Sequence, residues 1–516
     1  MISIVKLLQR RVDKETLPGY VITDEKYIRK DETMKKRLLS LLLVLFLVIT
    51  LIPNEQALAA TSKAQTGEEL QTLANAQPYS DWAYRDLIVA QSYGLFPDTW
   101  FTKDMTAPIS KGGLSILIAG FRNKMLNTKN VQSVKESPES YTKSLTVEEV
   151  INQLYQSAAS YTLTKDLALK NTKAVTFMKD NGIYTGKNGE LSLKQPCSIE
   201  QACVIATRFV TCIYDKLEAS AKGFFWEAKA NGNTVYMLGS IHLASTDIYP
   251  LSDKLLDTYH SADALAVEVN LFDQAGALGL VNRAFYTDGT TLKDHVSKET
   301  YDKVIALGAS FGYPESQMAM LKPWYIYISF YSMTMTDSGT ATEAATSANL
   351  GIDMNFLTDA YLSGKPILEV EGYKGQGDML ESFSDELGEY LVNETIDSLN
   401  KTVQGTDNSN SDSLDQMLEL WRTGDAESFK QYTSFDYEYK DMISDDTTAA
   451  EQKVLTEFYD KLFIIRNKTM AAYIESLLKA EGGHTYYVIV GAGHYLGDDN
   501  IIDILSDKGY VITQIK

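Results

Sequence analysis

Two textures of apolar and polar positions divide the chain. From Gly223 onward, short runs of apolar, β-branched and aromatic residues recur at Val235 to Leu238, Ala264 to Val269, Pro366 to Val370, Tyr486 to Val490 and Tyr510 to Ile515. Stretches with helical spacing separate them. Strand-length runs that alternate with helices predict an α/β domain over 223–516, with a mainly parallel or mixed sheet flanked by helices. The Asn-, Asp-, Ser- and Gly-rich stretch Thr402 to Ser413 breaks the pattern and reads as a flexible loop or insertion.

Residues 78–215 read instead as a small all-α module. Trp82, Leu87, Ile88 and Ala90 fall at helical spacing before Tyr93-Gly94, and a second helix, Gly113 to Phe121, follows Pro108-Ile109-Ser110. The layout returns as Ala174 to Lys179, the turn Asn181-Gly182-Ile183, and Pro196-Cys197-Ser198 running into a helix through Phe209. Between the copies, the Lys/Ser/Glu-rich stretch Asn127 to Ser144 reads as a loop.

Upstream, Met34-Lys35-Lys36-Arg37 precedes the apolar run Leu38 to Ile52, and Ala57-Leu58-Ala59 follows as a small-x-small site. That order predicts a secretory signal cut after Ala59, with Met34 as the true start and 60–77 as a linker. The apolar run is about 15 residues, against the roughly 20 of a spanning helix. The expectation is a secreted or cell-surface protein with no stable membrane span after cleavage.

The net charge of −20 lies mostly beyond that segment. It disfavours nucleic acid and anionic membranes as partners. The three cysteines, Cys197, Cys203 and Cys212, form neither an even disulfide framework nor a zinc-module spacing, and read as small buried hydrophobes.

Candidate chemistry lies in one repeated pattern, an apolar run ending in Gly-x-x-His: Gly239-Ser240-Ile241-His242 and Gly491-Ala492-Gly493-His494. Glycine permits a sharp turn past a strand end, where ligands bind in open α/β sheets. The two histidines read as half-sites converging on one metal ion or polar substrate. Glu268, an acid ending the apolar run Ala264 to Val267, offers an oxygen ligand or a general base. His260, His295 and His484 lack such a setting and read as surface residues. No His-Glu-x-x-His helix, phosphate-cradling Gly-x-x-x-x-Gly-Lys loop or Gly-x-Ser-x-Gly elbow occurs. Tyr325, Tyr327 and Tyr331 either line a groove or pack in the core.

Several stretches together resemble the TraB/GumN family, which includes Tiki-type metalloproteases and pheromone-shutdown proteins. They are Leu238 to Leu243, Ala262 to Asn270, Gly351-Ile352-Asp353, Gly364 to Ile367, Glu371 with Gln376, Trp421 to Asp425, Ile465-Arg466-Asn467 with Met470, and Val490 to Gly497. The resemblance implies a metal-dependent hydrolase acting on a peptide or protein. Its divalent ion, zinc, manganese or cobalt, would be held by His242, His494 and Glu268, with Gly239 and Gly491 shaping the turns. Arg466 would stabilise developing charge, Asn467 would face the site beside it, and Asp353 and Glu371 would support the ligands. Asn270 stands where relatives often carry Asp. The rival reading is a non-catalytic protein that sequesters a pheromone-like peptide in the same pocket.

The 78–215 module resembles S-layer homology (SLH) repeats, which implies a weak association with the cell wall. It departs from that pattern at Ile199, where the family has a basic residue, and at Ser110-Lys111, which lacks the acidic partner.

Overall fold

The computed structural model describes residues 78–515 except 127–131, 134–144, 163–168, 170–171, 407–408 and 431–447. The signal-like segment 1–59, the linker 60–77 and most of the loop expected at 127–144 lie outside the described residues.

The N-terminal region is helical. Helices α1 (Asp81–Ser92), α2 (Lys111–Leu126), α3 (Val147–Ala159), α4 (Ala174–Asp180) and α5 (Ile199–Lys216) enclose a core that includes Leu87, Leu117, Phe121, Ile151, Leu154 and Phe209. The buried stripe of α1 runs through Ala83, Leu87 and Ala90, so Trp82 falls beside it and is 52% exposed. That corrects its expected place on the apolar face. α3 escaped the sequence reading, although Thr146 and Glu149 form the reciprocal cap that marks a helix start. The starts of α2, α3 and α5 meet: Pro108 bridges Ser198, and Thr146 bridges Pro196. Cys197 and Cys203 are buried, Cys212 is half-buried, and all three are free thiols.

The C-terminal region is built on a six-stranded mixed sheet flanked by helices, as the alternating pattern predicts. Its strands are β1 (Phe224–Ala230), β2 (Asn233–Ser240), β3 (Ala264–Val267), β4 (Ile367–Glu369), β5 (Thr485–Gly491) and β6 (Ile512–Ile515), in the order β4-β3-β5-β2-β1-β6. The four from β4 to β2 are parallel, and β1 pairs antiparallel with both β2 and β6. β1 is absent from the strands read off the sequence. Its signal was Asn231-Gly232, whose φ values of 51° and 84° make the tight hairpin turn into β2.

β5 enters the sheet last among the parallel strands yet lies between β2 and β3. The chain leaving β2, β3 and β5 therefore emerges side by side at one sheet edge. β5 is buried from Tyr487 through Gly491. Around the sheet pack α6 (Asp253–Ser261), α7 (Pro323–Thr334), α8 (Ala341–Asn349), α9 (Ile352–Ser363), α10 (Gly372–Glu381), α11 (Asp385–Val403), α12 (Ser409–Thr423) and α13 (Ile465–Lys479), among others.

Every residue of α7 is buried, so Tyr325, Tyr327 and Tyr331 are core. Of the stretch Thr402 to Ser413, expected as a flexible loop, Thr402 and Val403 end α11 and Ser409 to Ser413 open α12. Asn410 and Ser411 are buried there, and Asn410 Nδ2 donates to Ser398 Oγ at 2.9 Å. Polar residues that suit a loop also suit a helix start, and this start is buried.

Candidate functional site

The two Gly-x-x-His turns leave neighbouring parallel strands. In the β2–β5 ladder Gly239 pairs with Val490 and Ser240 with Gly491, and the pairing continues past the strand ends as Ala492 N donates to Ser240 O at 2.9 Å. Gly239 is required by space: a Cβ there would sit 3.0 Å from Ala492 Cα and 3.5 Å from Phe224 Cβ. Its carbonyl accepts from Trp421 Nε1 at 2.6 Å, which ties α12 to the first turn.

His494 is fully buried, and its Nδ1 lies 2.6 Å from Asn467 Oδ1. The Asn467 amide is oriented by Nδ2, which donates to Asp499 O at 3.1 Å, so its oxygen must accept from the ring. Nε2 then carries the lone pair. It is buried and has no protein partner. Burial, then the charges of Arg466 and His242, hold the His494 pKa well below the ordinary histidine value, so the ring is neutral.

His242 is held the same way by a carboxylate. Its Nδ1 lies 2.9 Å from Asp353 Oδ2, and its Nε2 lies 3.9 Å from Glu268 Oε1. Asp353 is buried in the first turn of α9, whose start is locked to the histidine turn because Ile352 N donates to Ile241 O.

Glu268 follows β3 and is 6% exposed. Its Oε1 accepts from Gly491 N at 2.6 Å, and its Oε2 accepts from Arg466 Nη2 at 2.7 Å and Gln376 Nε2 at 3.3 Å. Burial raises the Glu268 pKa, against the opposing charges of Arg466 and His242, while the nearby Glu371 carboxylate adds to the rise.

Arg466 also grips Glu371 through Nε at 2.8 Å and Nη2 at 2.6 Å, and Nη1 donates to Leu462 O at 3.3 Å. Four of its five N–H donors are thus engaged. A single π-helical turn, Asp460–Ile464, precedes α13 immediately before Arg466 and Asn467. Such turns recur at functional sites.

The structure thus brings together His242, His494, Glu268, Arg466, Asp353, Glu371 and Asn467. Asn270 lies apart in a turn, where its N donates to Glu369 Oε1 and its Oδ1 accepts from Phe272 N. His260 and His484 are nearly half exposed, and His295 is partly exposed beside Asp385. Gln376 and Trp421, named in the sequence only as parts of wider matches, turn out to touch Glu268 and the Gly239 turn. No spacing in the sequence could assign those contacts.

Among the described residues, no group of three or more His, Cys, Asp or Glu side chains gathers as a metal-holding cluster. The unpartnered Nε2 of His494, within electrostatic reach of a second imidazole that is oriented through its own Nδ1, would suit a divalent ion as a nitrogen ligand. Glu268, with both oxygens already engaged, is the less available donor.

A family model described as TraB/PrgY/gumN matches residues 224–514, the whole sheet but its last residue, Ile515. A protein of Nematostella vectensis named "Metalloprotease TIKI homolog" is 21% identical over 319 residues, 57% of this chain and 67% of that protein. "Metalloprotease TIKI1" of Danio rerio is 22% identical over 331 residues, 58% of this chain and 65% of its own length. "Uncharacterized protein YbaP" of Escherichia coli K12 is 24% identical over 270 residues, 52% of this chain and 87% of that protein. The match therefore spans about two thirds of the TIKI proteins. No solved structure matches the chain.

Proposed function

Because the chain belongs to the TraB/PrgY/gumN family through residues 224–514, we propose that it is a metal-dependent hydrolase of peptides or proteins. The observation that carries this reading is the neutral, buried His494, whose Nε2 has no protein partner while Asn467 fixes its other nitrogen. The names of the TIKI relatives support it from outside the chain.

In this reading His242 and His494 hold zinc, manganese or cobalt. Bound there, such an ion supplies Lewis acidity toward water and a carbonyl oxygen. Asp353 and Asn467 keep each ring's lone pair on Nε2. Glu268 Oε1, beside His242 and with a raised pKa, takes a proton from water and returns it to the leaving amine. Arg466 holds Glu268 in place and keeps one N–H on Nη1 for substrate charge.

Metal analysis of the purified protein, with a peptide-library digest with and without chelator, tests the proposal. Bound metal and chelator-sensitive cleavage, both lost in His242→Ala and His494→Ala, are expected. Normal cleavage by the double variant would sink it. The engagement of both Glu268 oxygens favours one rival, a protein that captures a peptide without cutting it. Stoichiometric binding of intact peptide, with no products by mass spectrometry, would decide for the rival. The Met34–Ala59 pattern supports export, and the SLH-like repeats support a weak hold on the cell wall, which pull-down on purified wall would test.

A further inference from the structure

The segment Leu243–Leu251, which leaves His242, is gripped from two sides. On one side it is tied to the helices that lead to Asp353: Ala244 N donates to Ser347 O at 2.9 Å, Ser347 Oγ to Ala244 O at 2.9 Å, and Tyr249 OH to Leu350 O at 2.7 Å. On the other side stands the N-terminal module. Lys124 of α2 donates through Nζ to Thr246 O. Gly94, at φ 68°, lets its backbone approach Thr246 so closely that an added Cβ would lie 3.1 Å from Thr246 Cγ2. The module also reaches the helix that carries Asp353, where Arg85 of α1 pairs with Asp359 of α9 at 2.5 Å.

Lys124 is an expensive group for such a place, at 2% exposure. Its stem runs between the rings of Tyr93 and Tyr214, 5.9 and 5.5 Å from Nζ, and Tyr214 OH donates to its carbonyl at 2.7 Å. A methionine would fill the same space without burying a charge. What the amine adds is one directed bond to the segment leading out of His242.

We infer that Lys124 is a positioning residue for the His242 half-site, acting through Thr246, so that the helical module is a working part of the site as well as any tether. The meaning of "half-site" rests on the function proposed above, but the contact does not.

Burial, with the charge of Arg422 adding and that of Asp247 opposing, lowers the Lys124 pKa from 10.5 to about 7. The groups facing the amine are Tyr93 just past α1, Tyr214 from α5, Asp247 from the segment itself and Arg422 from α12. Both tyrosines are pushed upward by burial, out of the working range. When the segment comes away, the lysine returns to its ordinary value and takes up a proton. Docking therefore tightens as pH rises from about 7 toward 10.5, by about tenfold per pH unit, and is flat below 7.

Hydrogen exchange of the full chain, read by mass spectrometry between pH 6.5 and 9 and corrected for intrinsic rates, tests this. Peptides covering 241–250 should gain protection about tenfold per pH unit above pH 7, while peptides covering β5 should not. Lys124→Met and Lys124→Gln should both abolish that slope. Zn²⁺ should bind Lys124→Met at least threefold more weakly than the unaltered protein at pH 7.5. A slope that survives in both variants, or that appears equally in every peptide, overturns the inference, as does unchanged Zn²⁺ affinity. If the unaltered protein binds none of Zn²⁺, Mn²⁺ and Co²⁺, the proposed function falls, and the exchange slope alone decides the role of Lys124.

Discussion

Glu268 and Arg466 stand 198 residues apart in the chain and 2.7 Å apart in the fold, both buried. With Glu371 they make two carboxylates around one guanidinium, a cluster held by directed hydrogen bonds away from solvent. Replacing Arg466 with Met leaves both carboxylates without their cation and should cost about 3–5 kcal/mol in urea unfolding at pH 7.5. The loss should shrink as pH falls, because buried Glu268, without its cation, takes up a proton above the ordinary glutamate value while the unfolded chain does not. Glu371→Gln in the same background should recover part of it. An Arg466→Met protein as stable as the original would mean that the pair is not formed.

Asn467 and Asp353 each fix the orientation of one imidazole. Asn467→Ala and Asp353→Ala should each weaken Zn²⁺ binding by about 10–100-fold in isothermal titration, with the helical content by circular dichroism retained. Equal affinity in both variants would remove the assigned role of these two side chains.

Ligand linkage gives a test that needs no substrate. Zn²⁺ at about 100 times its dissociation constant should stabilise the protein by about 2.7 kcal/mol, seen as a rise in Tm. His242→Ala and His494→Ala should show no such rise. A rise that persists in the double variant would move metal binding elsewhere.

Gly351 is confined by the His242 and Ala348 carbonyl oxygens, the latter 3.0 Å from where a Cβ would stand. Gly351→Ala should therefore push on the His242 turn and cost about 1–3 kcal/mol. Gly279, inside the helix Gln274–Arg283 with nothing near its missing Cβ, is the control. Gly279→Ala should stabilise by up to about 1 kcal/mol. Thermal unfolding of the two variants should move in opposite directions.

Strand-length apolar runs announced β2, β3 and β5 because buried parallel strands need continuous apolar segments, and the shorter runs of β4 and β6 announced the partly exposed strands at the two sheet margins. β1 was missed because its runs were read without the Asn231-Gly232 turn that folds it against β2. The helix start at Ser409 reads as a loop in the sequence, and the one at Thr146 goes unread, because Ser, Thr and Asn serve loops and caps alike.

The sequence by itself determined the α/β texture, the two glycine turns that must present histidines at strand ends, and the acid that closes β3. Local spacing governs those features, since each depends on a few consecutive residues. Only the tertiary structure decided that β5 lies between β2 and β3, that Asn467 and Asp353 orient the two rings, and that Arg466 shares its donors between Glu268 and Glu371. Those side-chain contacts join residues from 27 to 198 positions apart, Asn467 with His494 at one extreme and Glu268 with Arg466 at the other, and are settled by how strands order and helices pack.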